Sequence, residues 1–113
     1  MRRAPMKEQK PGRACGLARQ GHLLNNLGEP VRAREVVQEA RGIYIQSYGA
    51  DHPYVAEALT RLIGIEYDLG DHAGANRVAH EARRIYVNTY GDHHPYVKQI
   101  DAFLADPENG GRD

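Results

Sequence analysis

Six histidines are the residues that first invite chemistry. His93 and His94 are adjacent, and His72 and His80 fall within one segment. Neutral imidazole is the commonest protein metal ligand. The spacings argue against a shared ion. Adjacent histidines point apart, and residues eight apart share a helix face but stand too far from each other. No Cys or Glu-x-x-His pairing completes a ligand set. We expect no metal and no cofactor. Three Asp-His dipeptides begin at Asp51, Asp71 and Asp92 and could in principle do acid–base work. Each falls where a helix is expected to start, and there an aspartate caps free backbone N–H groups; at the first of them Asp51 or His52 is the cap, with Asp51 the better side chain for it. Nucleophilic catalysis has little to draw on, because Ser47 is the sole serine and Cys15 the sole cysteine. Neither a phosphate loop nor a nucleophile elbow is present. The chain is not expected to be an enzyme.

The elements that would position these residues are written twice. Tyr44-Ile45-Gln46-Ser47-Tyr48-Gly49-Ala50-Asp51-His52-Pro53-Tyr54-Val55 returns 42 residues later as Tyr86-Val87-Asn88-Thr89-Tyr90-Gly91-Asp92-His93-His94-Pro95-Tyr96-Val97. Between Gly28–Val55 and Gly70–Val97, 14 of 28 positions are identical. A period of this size is the signature of stacked structural repeats, and such arrays are usually binding surfaces.

Helical periodicity runs through each copy. Leu17, Gly21, Leu24 and Leu27 predict a first helix from about Ala14 to Leu27. Ala33, Val36, Val37, Ala40, Ile43, Tyr44 and Tyr48 predict an amphipathic second helix, from about Val31 to Tyr48. A third runs from Pro53 to about Leu69 with Val55, Leu59, Leu62 and Ile63 inward. A fourth, about His72 to Tyr90, repeats the stripe of the second as Ala75, Val78, Ala79, Ala82, Ile85, Tyr86 and Tyr90. Pro95 opens a fifth, carrying Val97, Ile100, Phe103 and Leu104. Gly28, Gly49, Gly70 and Gly91 end the first four. Short turns make neighbouring helices antiparallel. Residues 1–13 read as a disordered basic tail, 14–105 as the helical repeat domain, and 106–113 as a second disordered tail.

These residues resemble tetratricopeptide repeats. The first repeat carries Leu17, Gly21, Leu24, Gly28, Ala33, Val37 and Ala40, and the second Leu59, Leu62, Gly70, Ala75, Ala79 and Ala82, at that family's spacing. The long period and the Tyr-Gly…His-Pro-x-Val linker, with Tyr44, Gly49 and Pro53 returning as Tyr86, Gly91 and Pro95, are similar to the longer repeats of kinesin light chains and of bacterial members. The second repeat departs from the pattern at Ile63, where a small residue is usual, and at Glu66, where an aromatic residue or leucine is usual. The third has only its first helix, with Asp101 at an apolar place, which suggests a capping helix. The resemblance implies an all-α fold of antiparallel helix pairs, stacked as a short right-handed α-solenoid of about 2.5 units and five helices. It also implies a protein or peptide partner in the concave groove lined by the first helix of each pair. Carried over by position, that groove holds Arg19, His22 and Asn26, then Arg61, Gly64, Tyr67 and Asp68. The lysine and asparagine of the carboxylate-clamp variety fall on Ala18 and His22, so capture of a chaperone tail is not supported.

Composition narrows the partners further. The formal net charge is zero, and residues 14–113 are net negative once the tail with Arg2, Arg3, Lys7 and Lys10 is set aside, so nucleic acid is not expected. No apolar run approaches the roughly 20 residues of a membrane span. No secretory signal is visible, and a single cysteine fits a reducing compartment, so a cytoplasmic location is expected. Two and a half repeats are few. The alternative to ligand binding is a structural module that forms a two-fold dimer through exposed repeat ends.

Overall fold

A computed structural model describes residues 11–106. It comprises α1 (Pro11–Asn26), α2 (Pro30–Tyr48), α3 (Pro53–Asp68), α4 (His72–Tyr90) and α5 (Pro95–Ala105). Among the described residues there is no strand. The helices pack in order as antiparallel neighbours, and α1 also lies against α3, so the pairs stack as an all-α repeat solenoid. Most of both expected tails lies outside the described residues, but α1 begins at Pro11, earlier than the periodicity placed it. Proline suits a first helical position, where a missing N–H costs nothing, and α2, α3 and α5 open on proline as well.

The helix ends follow local chemistry. Gly49 and Gly91 end α2 and α4 at φ 95° with ψ 160° and 165°, a region that only glycine occupies at low cost. The caps of α3 and α5 correct the expectation that Asp51 is the better cap and that Asp92 caps. The residue next to the proline is forced into an extended conformation, which is the N-cap position itself. That residue is histidine in both linkers. His52 Nδ1 accepts from the Tyr54 N–H at 3.0 Å, and His94 Nδ1 accepts from the Tyr96 N–H at 3.1 Å. Asp51 stands one residue too early and pairs instead with Arg84 at 3.1 Å. Of the three aspartates, Asp71 alone caps, accepting from the Gly74 N–H at 2.8 Å.

Two stripes of each first helix account for the core. One faces the second helix of the same repeat. In α1 it includes Ala14, Ala18, Gly21 and Leu24, all buried. Gly21 is there because α2 comes so close that a Cβ would overlap Val37 Cγ2 and stand 3.1 Å from the Ala33 carbonyl oxygen. Its counterpart 42 residues on is Ile63, and the counterpart of Val37 is Ala79, both buried. Volume has moved from one helix to the other, so the large residue at 63 conserves the fill.

The other stripe appears when α3 is compared with α1. Val55, Ala58, Leu62 and Ile65 are at most 1% exposed. Their counterparts Arg13, Gly16, Gln20 and Leu23 are exposed. The difference between the two helices is α2, which precedes α3 and packs on it. This stripe is therefore what the second helix of one repeat buries on the next. In α5 it is Val97 and Ile100, again buried. The first stripe of α5 is different in kind, with Lys98, Asp101 and Ala105 where α3 has Ala56, Leu59 and Ile63. Asp101 accepts from Arg83 Nε on α4. This is the composition of a capping helix.

Candidate binding groove

The site is framed by α3 and α5. Their linker-proximal ends are tied by rings: Tyr86 of α4 lies 5.1 Å from Tyr96 of α5, centroid to centroid, and Tyr90 stacks on His94 at 4.4 Å. The preceding linker repeats this, with Tyr44 at 5.3 Å from Tyr54 and Tyr48 stacked on His52 at 4.4 Å. Such offset and edge contacts hold each second helix to the following first helix. Beside the Tyr86–Tyr96 pair, which also lines it, α3 and α5 leave an open cleft of about 450 Å³.

The cleft has an apolar floor of Ile63, Tyr86, Ile100 and Phe103. Its polar rim is Glu57, Thr60, Arg61 and Gln99. Gly64 opens the α3 wall, with nothing within 4 Å of where a Cβ would stand. The space continues past Gly64 into a second recess, about 350 Å³, reached by Tyr67, Asp68 and Asp106. Tyr67 stacks on His72 at 4.4 Å and meets Phe103 edge-on at 6.3 Å, which fixes the far wall.

Arg61 is the chemically unusual member. Its Nε is buried and has no hydrogen-bond partner among the described residues. Buried polar groups are nearly always satisfied, so this donor is an exception beside the cleft that the Arg61 side chain lines. Burial pushes the Tyr86 hydroxyl up from its ordinary value, against the opposing pull of a hydrogen bond with Thr60.

The expected groove residues separate into two groups. Arg61, Gly64, Tyr67 and Asp68 meet at the cleft. Arg19, His22 and Asn26 occupy the matching face of α1, exposed, and do not line it. His22 and Asn26 contact each other at 3.4 Å. Asp68 is also committed to α1, accepting from Asn25 Nδ2 at 2.8 Å. Ala18, at the first clamp position, is 5% exposed and belongs to the core. Sequence reasoning did not name Thr60, Gln99 or Phe103 as groove residues. By the period Gln99 and Phe103 lie 42 residues after Glu57 and Arg61, but that they face the cleft follows only from α5 standing opposite α3.

Among the described residues no group of three His, Cys, Asp or Glu side chains could hold a metal ion. No helix among them is long and apolar enough to cross a membrane. Residues 21–54 and 55–96 each match a family model described as Tetratricopeptide repeat, together more than half of the chain. No curated protein matches the sequence.

Proposed function

The chain belongs to the tetratricopeptide repeat family, and from that premise we propose that it is a non-catalytic module that binds a protein partner through an extended peptide segment in the α3–α5 cleft. Repeats of this family mediate protein–protein interactions, and stacked helical repeats present concave surfaces suited to that. The observation that carries the reading is an open cleft whose apolar floor is edged by the Arg61 side chain. A segment that places an apolar side chain on Ile100 and Phe103 and a carbonyl or carboxylate oxygen on the Arg61 guanidinium would use both. Arg19, His22 and Asn26 extend the same face on α1 and would take the continuation of the segment. A cytoplasmic location accords with the single, exposed Cys15.

Immobilised peptides of acidic, neutral and basic composition test this. Gly64→Leu should fill the cleft without disturbing the fold, since nothing stands within 4 Å of the new Cβ. Arg61→Ala should weaken capture of the preferred peptides by about tenfold or more, the worth of a charge-assisted hydrogen bond. Capture that survives both substitutions, with helicity unchanged, would move the site off the cleft.

A further inference from the structure

The large aliphatic side chains that stand exposed among the described residues are Leu23, Leu27 and Val31, at 56%, 74% and 53%. All three fall around the α1–α2 turn, at one end of the solenoid. Leu23 and Leu27 are one helical turn apart. Their counterparts show what such positions are for: Ile65, on the stripe of α3 that α2 covers, is 1% exposed, and Leu69, just past the end of α3, is half-buried against the core. The end of α1 therefore keeps the apolar half of an interface that the molecule uses internally. The other half of the stripe, Gly16 and Gln20, is polar or small.

We propose that this end is a self-association surface, covered in solution by a second copy of the chain whose α1 lies against it about a two-fold axis. Two observations and one rule of symmetry point to a second copy in this arrangement. Head-to-tail stacking lacks a matching face, because the opposite end, α5, presents Lys98 and Asp101 where an apolar stripe would be needed. A two-fold contact sets the same patch against itself and closes. The patch is edged by the Glu29–Arg32 ion pair, 2.8 Å, so a rotated copy meets both signs of charge, and the chain's zero net charge adds no long-range repulsion. The self-association therefore belongs to the first helix. Phe103 of the last helix is half-buried in the cleft and does not offer a free end.

Three side chains make a patch smaller than the roughly 800 Å² per partner of a stable complex, so the dimer is weak. Light scattering on the full chain over a concentration series should show the mass rising from the 12.6 kDa monomer toward twice that value. The double substitution Leu23→Glu and Leu27→Glu, at positions already exposed, should weaken association about tenfold or more by setting like charges across the axis. Gln20→Leu, which copies Leu62, should strengthen it. Gly64→Leu should leave it unchanged, which separates this surface from the peptide cleft. A mass that stays monomeric up to about 1 mM, a free energy of association weaker than about −4 kcal/mol, would overturn the proposal and leave the patch to a helix of another protein. A dimer indifferent to both the glutamates and Gln20→Leu would overturn it equally.

Discussion

Arg34 of α2 donates from Nη1 to Oε1 of Glu66 on α3 at 3.1 Å, joining the first repeat to the second. Glu66 is 7% exposed and is the one buried charged residue among those described. At the matching position the first repeat has Leu24, also buried. The second repeat thus carries a charged side chain, paired to α2, where the first carries an apolar one.

Breaking this pair should cost more than removing it. Arg34→Ala leaves a carboxylate without its partner and should destabilise by about 1–3 kcal/mol, below the value for a fully buried pair because Arg34 keeps a 40% exposed side chain. Glu66→Leu, which copies Leu24, combined with Arg34→Leu, should be close to neutral. Urea denaturation of Arg34→Leu, Glu66→Leu and the double variant supplies the cycle. Additive single costs would show that the pair does not couple.

Glycines in α1 should respond with opposite signs. Gly16 has nothing within 4 Å of where a Cβ would stand, so Gly16→Ala should stabilise by about 0.5–1 kcal/mol through helix propensity alone. Gly21→Ala drives a methyl into Val37 and should destabilise by about 1–2 kcal/mol after the same propensity gain is counted. Adding Val37→Ala, the pairing partner that the second repeat uses at Ala79, should recover part of the Gly21→Ala loss. Thermal melts followed by circular dichroism decide this, and a stabilising Gly21→Ala would mean that α1 and α2 are not held at this separation.

Alkaline stability should depend on Tyr44. Burial pushes its hydroxyl up from the ordinary 10.0 to about 12, with nearby Cys15 and then Glu57 adding to the effect. The folded state thus favours the neutral phenol. That contribution is complete below about pH 10, where the unfolded chain titrates, and is lost as pH rises toward about 12, at up to about 1.4 kcal/mol per pH unit. Tyr86 is shifted in the same direction, again first by burial. Denaturation curves between about pH 9 and about 12, read beside phenolate absorbance, should show this fall. Tyr44→Phe should flatten it, and an unchanged slope would place the alkaline transition elsewhere.

Much of the fold was legible because its signals are local. Pro53 and Pro95 announce helix starts by removing an N–H, and Gly49 and Gly91 announce ends by reaching φ 95°. The alternation of Ala33, Val37 and Ala40 marks a face that any neighbour would bury. The caps were less legible. Aspartate is the better generic cap, but the proline fixes which residue holds the cap position, and in both linkers that residue is histidine. For the groove, Arg61 and Tyr67 were reachable by position, whereas Phe103 and Gln99 required knowing that α5 stands opposite α3.

By itself the sequence determined the period, the helices, their ends and the stripe that each pair buries within itself, because these depend on residues a few positions apart. Tertiary structure decided what lies between repeats. Ile65 and Leu23 are both apolar and hold the same place in their repeats, yet one is 1% exposed and the other 56%. Nothing in either side chain encodes that difference. It arises because burial is set by whether another helix arrives, and α2 arrives on α3 while no helix among the described residues arrives on the matching face of α1.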